Sequence, residues 1–346
     1  MFYPQQIKEA LKHVRYPDKK DDIVESGILR DDIRIDDFTV SFSLQATKAN
    51  DPFIASVSQA SERAIHKYVD PGIKVNITII APPPISTEKH RIAKHVIGVH
   101  SGKGGVGKST ISTNLAVTLA QQGYSVGLVD ADIHGPSLPK MLQCEDYQPI
   151  SVEQDGKTLI EPVTRYGVKL LSLGFFITSD QAIVWRGAMA SNAIRQLLNE
   201  GNWNMPDFMI VDLPPGTSDI HLTVLQSTIV DGIIIVTSPQ PVALVDAQRS
   251  IDMFQNDKLH IPILGVVENM SWFTPAELPD NRYYIFGKDG GKILAEQHNL
   301  SLLGQIPLIQ SIRESGDSGQ PIVLHNDDTA NLFQNITCHL LSQLEI

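Results

Sequence analysis

Residues 96–110, VIGVHSGKGGVGKST, constrain the fold more than any other part of the chain. Their first residues are apolar and β-branched, which is typical of a buried parallel strand. A glycine-rich loop follows, and glycine allows successive backbone N–H groups to turn inward around phosphate oxygens. Ile111, Leu115 and Leu119 then recur at helical spacing before Gly123. A strand, a phosphate-binding loop and a helix in this order predict an α/β nucleotide-binding domain.

The pattern G-x-x-x-x-G-K-[ST] is met from Gly102 to Ser109. Lys108 places a positive charge near the β and γ phosphates of a nucleotide, and Ser109 places a hydroxyl where a phosphate-bound Mg²⁺ needs a ligand. The positive N-terminal end of the following helix faces the same anion. The predicted nucleotide-binding residues of this segment are Gly102, Lys103, Gly104, Gly105, Val106, Gly107, Lys108, Ser109 and Thr110.

Two further apolar stretches end in aspartate. YSVGLVD ends at Asp130 and leads into a loop that carries Asp132, and DFMIVD ends at Asp212. Because ligands of parallel sheets gather at the carboxyl ends of the strands, we expect these carboxylates near the phosphates. Asp132 is predicted to orient the attacking water, with a turn cap as the alternative role. Asp130 is predicted either to belong to the site or to support the site residues structurally.

Asp212 has the sequence context of a Walker B aspartate, and we predict that it holds Mg²⁺ together with Ser109. The loop that follows, LPPGTSD, contains Gly216, whose backbone N–H is a candidate donor to the γ-phosphate. The predicted catalytic residues of this motif set are therefore Lys108 and Asp132.

The base is predicted to contact Asn269. This residue follows the apolar stretch ILGVVE, and its amide offers both a donor and an acceptor to adenine. The sequence contains no NKxD-like motif for reading guanine, so ATP is favoured over GTP. A simple turn role for Asn269 is the alternative.

The 346-residue length indicates more than one domain. Residues 1–80 predict a small α+β domain, with helices after Pro4 and from Pro52 to Tyr68 and with strands at Phe38–Leu44 and IKVNITII. No catalytic constellation is present there, which favours a partner-binding module. Residues 81–94 are rich in proline and charge and predict a linker. Residues 95–346 alternate strands with helices and predict a doubly wound, mostly parallel sheet covered on both faces.

Charge and composition limit the partners and the cellular compartment that we expect for this chain. The formal net charge of −11 disfavours nucleic acid or anionic membrane as a partner. No apolar stretch is long enough for a membrane span, and the first residues lack a signal-peptide core, so we expect a cytoplasmic protein. The last predicted helix, TANLFQNITCHLLSQLEI, lacks Lys and Arg and is expected to pack on the sheet or at a dimer interface. Cys144 and Cys338 are too far apart in sequence for a local Cys-x-x-Cys site.

Five segments, SGKGGVGKST, VDADIHGPS, VDLPPGTSD, ENMSWF and YYIFG, closely resemble the Mrp family of P-loop ATPases, which are iron–sulfur cluster carriers. The resemblance spans nearly the whole chain, because the first domain is similar to the small domain of iron–sulfur assembly proteins. Lys103 in KGGVGK resembles the extra lysine of the deviant P-loop in the MinD and ParA class, where it reaches the partner's nucleotide across a dimer. The resemblance therefore implies that Lys103 is a further catalytic residue. The resemblance implies a homodimer that slowly hydrolyses ATP and transfers clusters to apoproteins.

Members of that family commonly carry a Cys-x-x-Cys between the ENMS and IFG segments, but this chain has TPAELPD there. A dimer could offer Cys144 and Cys338 from each subunit to a cluster, which normally takes four thiolates. Nothing in the sequence places these cysteines together, so the cluster ligands are not identified. The alternative function is a nucleotide-dependent adaptor that delivers client proteins without a cluster. A positioning ATPase of the MinD or ParA kind is disfavoured by the acidic balance.

Overall fold

The computed structural model describes residues 2–16, 22–36, 38–46, 53–80, 89–133, 135–154, 156–176, 187–257, 259–325 and 328–346. The chain divides into two compact units, Met1–Thr87 and Glu88–Ile346. Residues 81–88, the proline-rich part of the predicted linker, lie outside the described residues. Ile92 and Ala93, which the sequence assigned to the linker, are buried in the core of the second unit.

The first unit is a small α+β structure. Its elements are α1 Pro4–Leu11, β1 Arg34–Asp36, β2 Thr39–Gln45, α2 Ile54–Tyr68 and β3 Lys74–Ile80. Strand β2 pairs antiparallel with β1 and parallel with β3. The apolar faces of the helices and of β2 form one core, as their spacing predicts. The prediction that Phe38 belongs to the buried face of β2 was wrong, because Phe38 lies in the tight β1–β2 connection and is 61% exposed.

The second unit is an α/β domain. Its strands are β4 His95–His100, β5 Val126–Asp130, β6 Ser151–Gln154, β7 Lys157–Ile160, β8 Val163–Arg165, β9 Val168–Ser172, β10 Phe208–Asp212, β11 Gly232–Thr237, β12 Ile263–Asn269 and β13 Leu302–Ile306. Its helices are α3 Lys108–Gln121, α4 Leu138–Met141, α5 Ala188–Glu200, α6 Asp219–Ser227, α7 Pro241–Gln255, α8 Gly290–Gln297, α9 Gln310–Ser318 and α10 Asp328–Gln343.

The central sheet has eight strands in the order β13-β12-β11-β4-β10-β5-β9-β8. All neighbouring strands are parallel except β8, which runs antiparallel to β9. Every residue of β5 and β10 is buried, because helices cover both faces of the sheet. One apolar core lies under α3 and α10, and the other lies under α5, α6 and α7. The predicted doubly wound, mostly parallel fold is confirmed.

The region between β5 and α5 contains short strands. The polar stretch 141–166 forms the β6–β7 hairpin and the edge strand β8. In the apolar run VKLLSLGFF, β9 ends at Ser172 and Leu173–Phe175 forms a 3₁₀ turn. The last helix, α10, packs against β13 and α3 as expected. In the part of the chain that the structure describes, no helix combines the length and apolar character needed to cross a membrane.

Candidate nucleotide-binding site

The glycine-rich loop lies at the carboxyl end of β4, in the middle of the sheet between β10 and β11. Gly105 and Gly107 have φ angles of +85° and +89°, which side chains other than glycine rarely adopt. Gly102 is required for a different reason. A Cβ added there would lie 2.2 Å from the carbonyl carbon of Asp246 in α7. The shape of the loop therefore depends on glycine for two reasons, the positive φ angles of Gly105 and Gly107 and the close contact of Gly102 with α7.

Lys108, at the start of α3, is the central charge of the site. Its Nζ donates a hydrogen bond of 2.7 Å to Asp212 Oδ2 and lies 3.6 Å from Asp132 Oδ2. The lysine is only 6% exposed. A buried lysine is stable only beside negative charge, and here two carboxylates supply it. The structure thus brings together three residues that the sequence assigned to phosphate, water and Mg²⁺.

Asp212 is fully buried at the end of β10. Besides Lys108, its carboxylate accepts hydrogen bonds from Ser109 Oγ at 2.7 Å and from Ser112 Oγ at 2.5 Å. Ser109 and Ser112 lie one turn apart on α3, so the helix presents both hydroxyls to the same carboxylate. The Ser109 hydroxyl and the Asp212 carboxylate are oxygen donors of the kind that Mg²⁺ prefers, and their contact places them where one ion can reach both.

Asp130 organises the loop that carries Asp132. Its carboxylate accepts hydrogen bonds from Ser172 Oγ at 3.0 Å and from the backbone N–H groups of Asp132 and Leu138 at 3.2 and 3.3 Å. Complete burial raises the pKa of Asp130 to about 7, and the Asp212 carboxylate acts in the same direction. These contacts agree with the supporting role that the sequence left open for Asp130.

A cavity of about 250 Å³ lies over the glycine-rich loop, lined by Gly104, Lys108, Ser109 and Asp132 among others. A larger cavity of about 370 Å³ adjoins it, since Gly107 and Thr110 line both. The first is lined by Lys108, by the Ser109 hydroxyl and by the glycine backbone, which are groups that bind phosphate oxygens. The second is lined by the apolar residues Pro307, Leu308, Ile309 and Ile312, which suit the flat face of a base.

Asn269, at the end of β12, lies between these regions. Its Nδ2 donates a hydrogen bond of 2.8 Å to the carbonyl of Val106 in the glycine-rich loop, and its side chain lines the larger cavity. The Asn269 amide therefore links the end of β12 to the glycine-rich loop through a hydrogen bond. One N–H and the Oδ1 atom of the amide are left for other contacts.

The loop after β10, residues 213–218, is attached to the glycine-rich loop. The backbone N–H of Leu213 donates to Val99 at 3.0 Å, and that of Gly216 donates to the Ser101 carbonyl at 2.9 Å. The Gly216 N–H, which the sequence offered to a γ-phosphate, is thus engaged by the protein in this structure. To bind a phosphate, the Gly216 N–H would have to give up its hydrogen bond to the Ser101 carbonyl.

Two features of the site were missed by sequence reasoning. Ser112 lies one turn after the Lys-Ser of the motif, and this helical spacing was the available signal. The residues from Pro307 to Arg313 form one wall of the larger cavity. Their position directly after β13, at the carboxyl end of a parallel strand, was the signal that pointed to them.

The cysteines are not arranged as a metal centre. Cys144 is buried and its thiol contacts the Pro139 carbonyl, whereas Cys338 is exposed on α10. Burial raises the pKa of the Cys144 thiol to about 11. Within the ranges that the structure describes, no group of three or more His, Cys, Asp or Glu side chains could hold a metal ion.

Comparison with known protein families matches both units. Residues 92–341 match the family described as NUBPL iron-transfer P-loop NTPase, and residues 4–79 match the family described as iron-sulfur cluster assembly protein. The iron-sulfur cluster carrier protein of Synechocystis sp. is 40% identical over 331 residues, covering 94% of this chain and 92% of that protein. The protein of the same description from Escherichia coli is 46% identical over 253 residues, covering 72% and 67%.

Solved structures agree with the fold. A nucleotide-binding protein from Archaeoglobus fulgidus, solved in complex with ADP, has a TM-score of 0.59 at 32% identity and covers 70% of this chain and 93% of its own. The septum site-determining protein MinD from Pyrococcus horikoshii, solved with Mg-ADP, has a TM-score of 0.52 at 23% identity and covers 70% and 94%. The second likeness is one of fold alone.

Proposed function

Because this chain belongs to the NUBPL iron-transfer P-loop NTPase family, we propose that it binds and hydrolyses ATP with Mg²⁺ and carries iron–sulfur clusters to apoproteins. The enzyme class, a P-loop ATPase, follows from the family. The contact of Lys108 and Ser109 with the Asp212 carboxylate is the observation that supports the nucleotide chemistry most directly.

In the proposed reaction the triphosphate enters the cavity above the glycine-rich loop. Lys108 neutralises the β and γ phosphates, while Ser109 and Asp212 hold Mg²⁺, which supplies further charge neutralisation at the transferred phosphoryl group. Asp132 lies at the edge of this cavity beside Lys108, and we assign to it the positioning of the attacking water. Asn269 and the apolar wall of the larger cavity are assigned to the adenosine.

The iron–sulfur cluster is the cargo of the proposed carrier. The proposed carrier is a cytoplasmic homodimer, and the exposed Lys103 is available to reach a partner subunit's nucleotide. Cys338, being exposed on α10, is the thiol available for a cluster shared between subunits. The first unit, which matches the iron-sulfur cluster assembly family, is assigned to contact with apoproteins.

One observation favours a second candidate function. The segment 274–280 reads TPAELPD and carries no cysteine, and Cys144 is buried with a raised pKa. A chain with few accessible thiolates is poorly equipped to hold a cluster. The alternative is therefore a nucleotide-dependent adaptor that delivers client proteins without binding the cluster itself.

We expect iodoacetamide to modify Cys338 but not Cys144 in the native protein at pH 8. The thiolate is the reactive form, and a thiol with a pKa of about 11 is ionised in only about one molecule per thousand at this pH. Cys144 is also only 5% exposed. Mass spectrometry of the labelled peptides measures both sites, with unfolded protein as the control in which both react. Equal labelling in the native protein would contradict the buried position of Cys144.

Anaerobic reconstitution with iron and sulfide separates the two candidate functions. We expect the wild type to retain iron and sulfide, Cys338→Ser to lose them, and Cys144→Ser to behave as the wild type, because only Cys338 is exposed. Iron and sulfide are counted per dimer, and ATP turnover is measured on the same samples. Intact turnover without retained iron in the wild type would leave the adaptor as the function.

A further inference from the structure

Two histidines are buried together directly behind the glycine-rich loop. His100, the last residue of β4, is 0% exposed, and His221, in the first turn of α6, is 2% exposed. Their ring centroids lie 4.8 Å apart at an interplanar angle of 78°. His221 Nε2 and His100 Nδ1 are 3.0 Å apart, which is a hydrogen-bonding distance.

The partners of the two rings select one tautomer for each. His221 Nδ1 lies 3.1 Å from the backbone N–H, the hydroxyl and the carbonyl of Ser218, and the Pro214 carbonyl beside Nε2 can only accept a hydrogen bond. The proton of His221 is then on Nε2, which lies 3.0 Å from both the Pro214 carbonyl and His100 Nδ1. His100 Nδ1 accepts, and His100 Nε2–H donates to Ser250 Oγ at 2.9 Å. Each neutral imidazole therefore acts as donor on one side and acceptor on the other.

The surroundings keep both rings neutral. Burial lowers the pKa of His221 and lowers that of His100 well below its usual value. The Lys108 ammonium on α3 acts on both pKa values in the same direction. From α7, Phe254 packs against His100 with ring centroids 5.2 Å apart. Protonation of His221 would turn Nδ1 into a donor, and its hydrogen bond would move from the Ser218 N–H to the Ser218 carbonyl, which is also 3.1 Å away.

His221 holds the loop between β10 and α6 at both of its ends. One ring nitrogen contacts the Pro214 carbonyl, and the other accepts from the Ser218 N–H. Between these anchors lie Pro215, which lines the phosphate cavity, and Gly216, whose N–H faces the glycine-rich loop. A side chain with a donor at one end and an acceptor at the other is needed for this, and neutral histidine provides it.

His100 connects the same loop to the rest of the site. It directly precedes Ser101, whose carbonyl accepts the Gly216 N–H. On its other side it donates to Ser250 in α7, and the Ser250 hydroxyl donates to the Asp246 carbonyl at 3.0 Å. The histidine pair thus joins β4, α6 and α7 around the loop.

We infer that His221, supported by His100, is a positioning residue for nucleotide hydrolysis, which holds the loop bearing Pro215 and Gly216 in register with the glycine-rich loop. The inference rests on the proposed ATP hydrolysis. Neither ring lines the phosphate cavity, so neither touches the reacting atoms. Loss of the His221 ring is therefore expected to affect the catalytic step more than the binding of ATP.

The test is steady-state ATP hydrolysis by His221→Leu and His221→Gln. Leucine satisfies neither the Pro214 carbonyl nor the Ser218 N–H, and we expect kcat to fall about tenfold to a hundredfold while KM for ATP changes less than about threefold. Glutamine keeps a donor that can reach the Pro214 carbonyl, so its kcat is expected to lie between those of the leucine variant and the wild type.

The matched control is His95→Gln. His95 lies at the other end of β4, where its ring stacks on Phe208 at 5.3 Å, far along the strand from the loop. We expect its kcat and KM to stay within about twofold of the wild type, as for a substitution outside the catalytic geometry. Thermal unfolding of all variants shows whether a loss of turnover reflects loss of the fold.

A second readout is the tautomer itself. Long-range ¹H–¹⁵N spectra of histidine-labelled protein, assigned with the glutamine variants, are expected to show neutral His221 with its proton on Nε2 near neutral pH. A proton on Nδ1 would overturn the inference, as would a wild-type kcat in His221→Leu or an equal loss of ATP binding and turnover. If the leucine variant does not fold, a wild-type kcat in His221→Gln overturns it instead. A wild type without turnover would contradict the proposed function, while the tautomer would still decide the role of the ring.

Discussion

Replacing Lys108 with alanine is expected to reduce ATP turnover by roughly a hundredfold to a thousandfold. The substitution removes the positive charge that we assign to the β and γ phosphates, and charge stabilisation is the main contribution of a P-loop to phosphoryl transfer. Turnover at saturating ATP and Mg²⁺ measures the effect. Lys157→Ala, which removes an exposed lysine of the β6–β7 hairpin, is the matched control.

The same substitution tests the electrostatics around the buried Asp212 carboxylate. Lys108 is the counter-charge of the buried Asp212, and breaking a buried ion pair typically costs about 3–5 kcal/mol of folding stability. Protonation of Asp130 offsets part of this cost, because its pKa is already raised to about 7 and loss of the Lys108 charge removes an interaction that lowers it. Thermal unfolding separates loss of fold from loss of catalysis. Near-normal turnover in a folded Lys108→Ala protein would remove the P-loop from the mechanism.

Asp132→Asn is expected to slow turnover by about a hundredfold or more while nucleotide binding stays close to that of the wild type. The amide keeps the size of the side chain but removes the negative charge to which we assign the orientation of the attacking water. The structure places this carboxylate at the edge of the phosphate cavity, 3.6 Å from Lys108 Nζ. Single-turnover hydrolysis and equilibrium binding of ADP measure the two quantities separately.

Asp280→Asn is the control for this charge change, since Asp280 lies in an exposed loop. Both variants lose one negative charge, so a shared effect would reflect net charge instead of position. A parallel fall in binding and turnover for Asp132→Asn would assign Asp132 to the structure of its loop, which is the alternative that the sequence allows.

The parts of the site that the sequence predicts are those with a local signal. Gly102 to Ser109 form a contiguous motif, and Asp130 and Asp212 each end an apolar run of strand length. The carboxyl ends of parallel strands meet at one edge of a sheet, so these residues are expected to converge even without coordinates. Asn269 is the last residue of β12, another parallel strand, so the same rule places Asn269 next to the glycine-rich loop.

The remaining parts depend on contacts that no local pattern encodes. Asn269 bonds Val106 across 163 residues of sequence, and His221 bonds His100 across 121. Such pairs are determined by the order of the strands in the sheet, which periodicity does not reveal. The antiparallel edge strand β8 was missed because three residues are too short for an alternating pattern. Phe38 was misplaced because a tight turn interrupts the alternation just before β2.

The hydrogen bond from Gly216 to the Ser101 carbonyl has an energetic consequence for nucleotide sensing. If the Gly216 N–H donates to a γ-phosphate, it loses the Ser101 carbonyl as its acceptor. The net gain in free energy is then only the difference between a hydrogen bond to a charged acceptor and one to a neutral acceptor. That difference is about 1 kcal/mol, which shifts the population of the loop by roughly fivefold. Through this bond alone, ATP would shift the loop only in part, and a complete rearrangement would need further contacts.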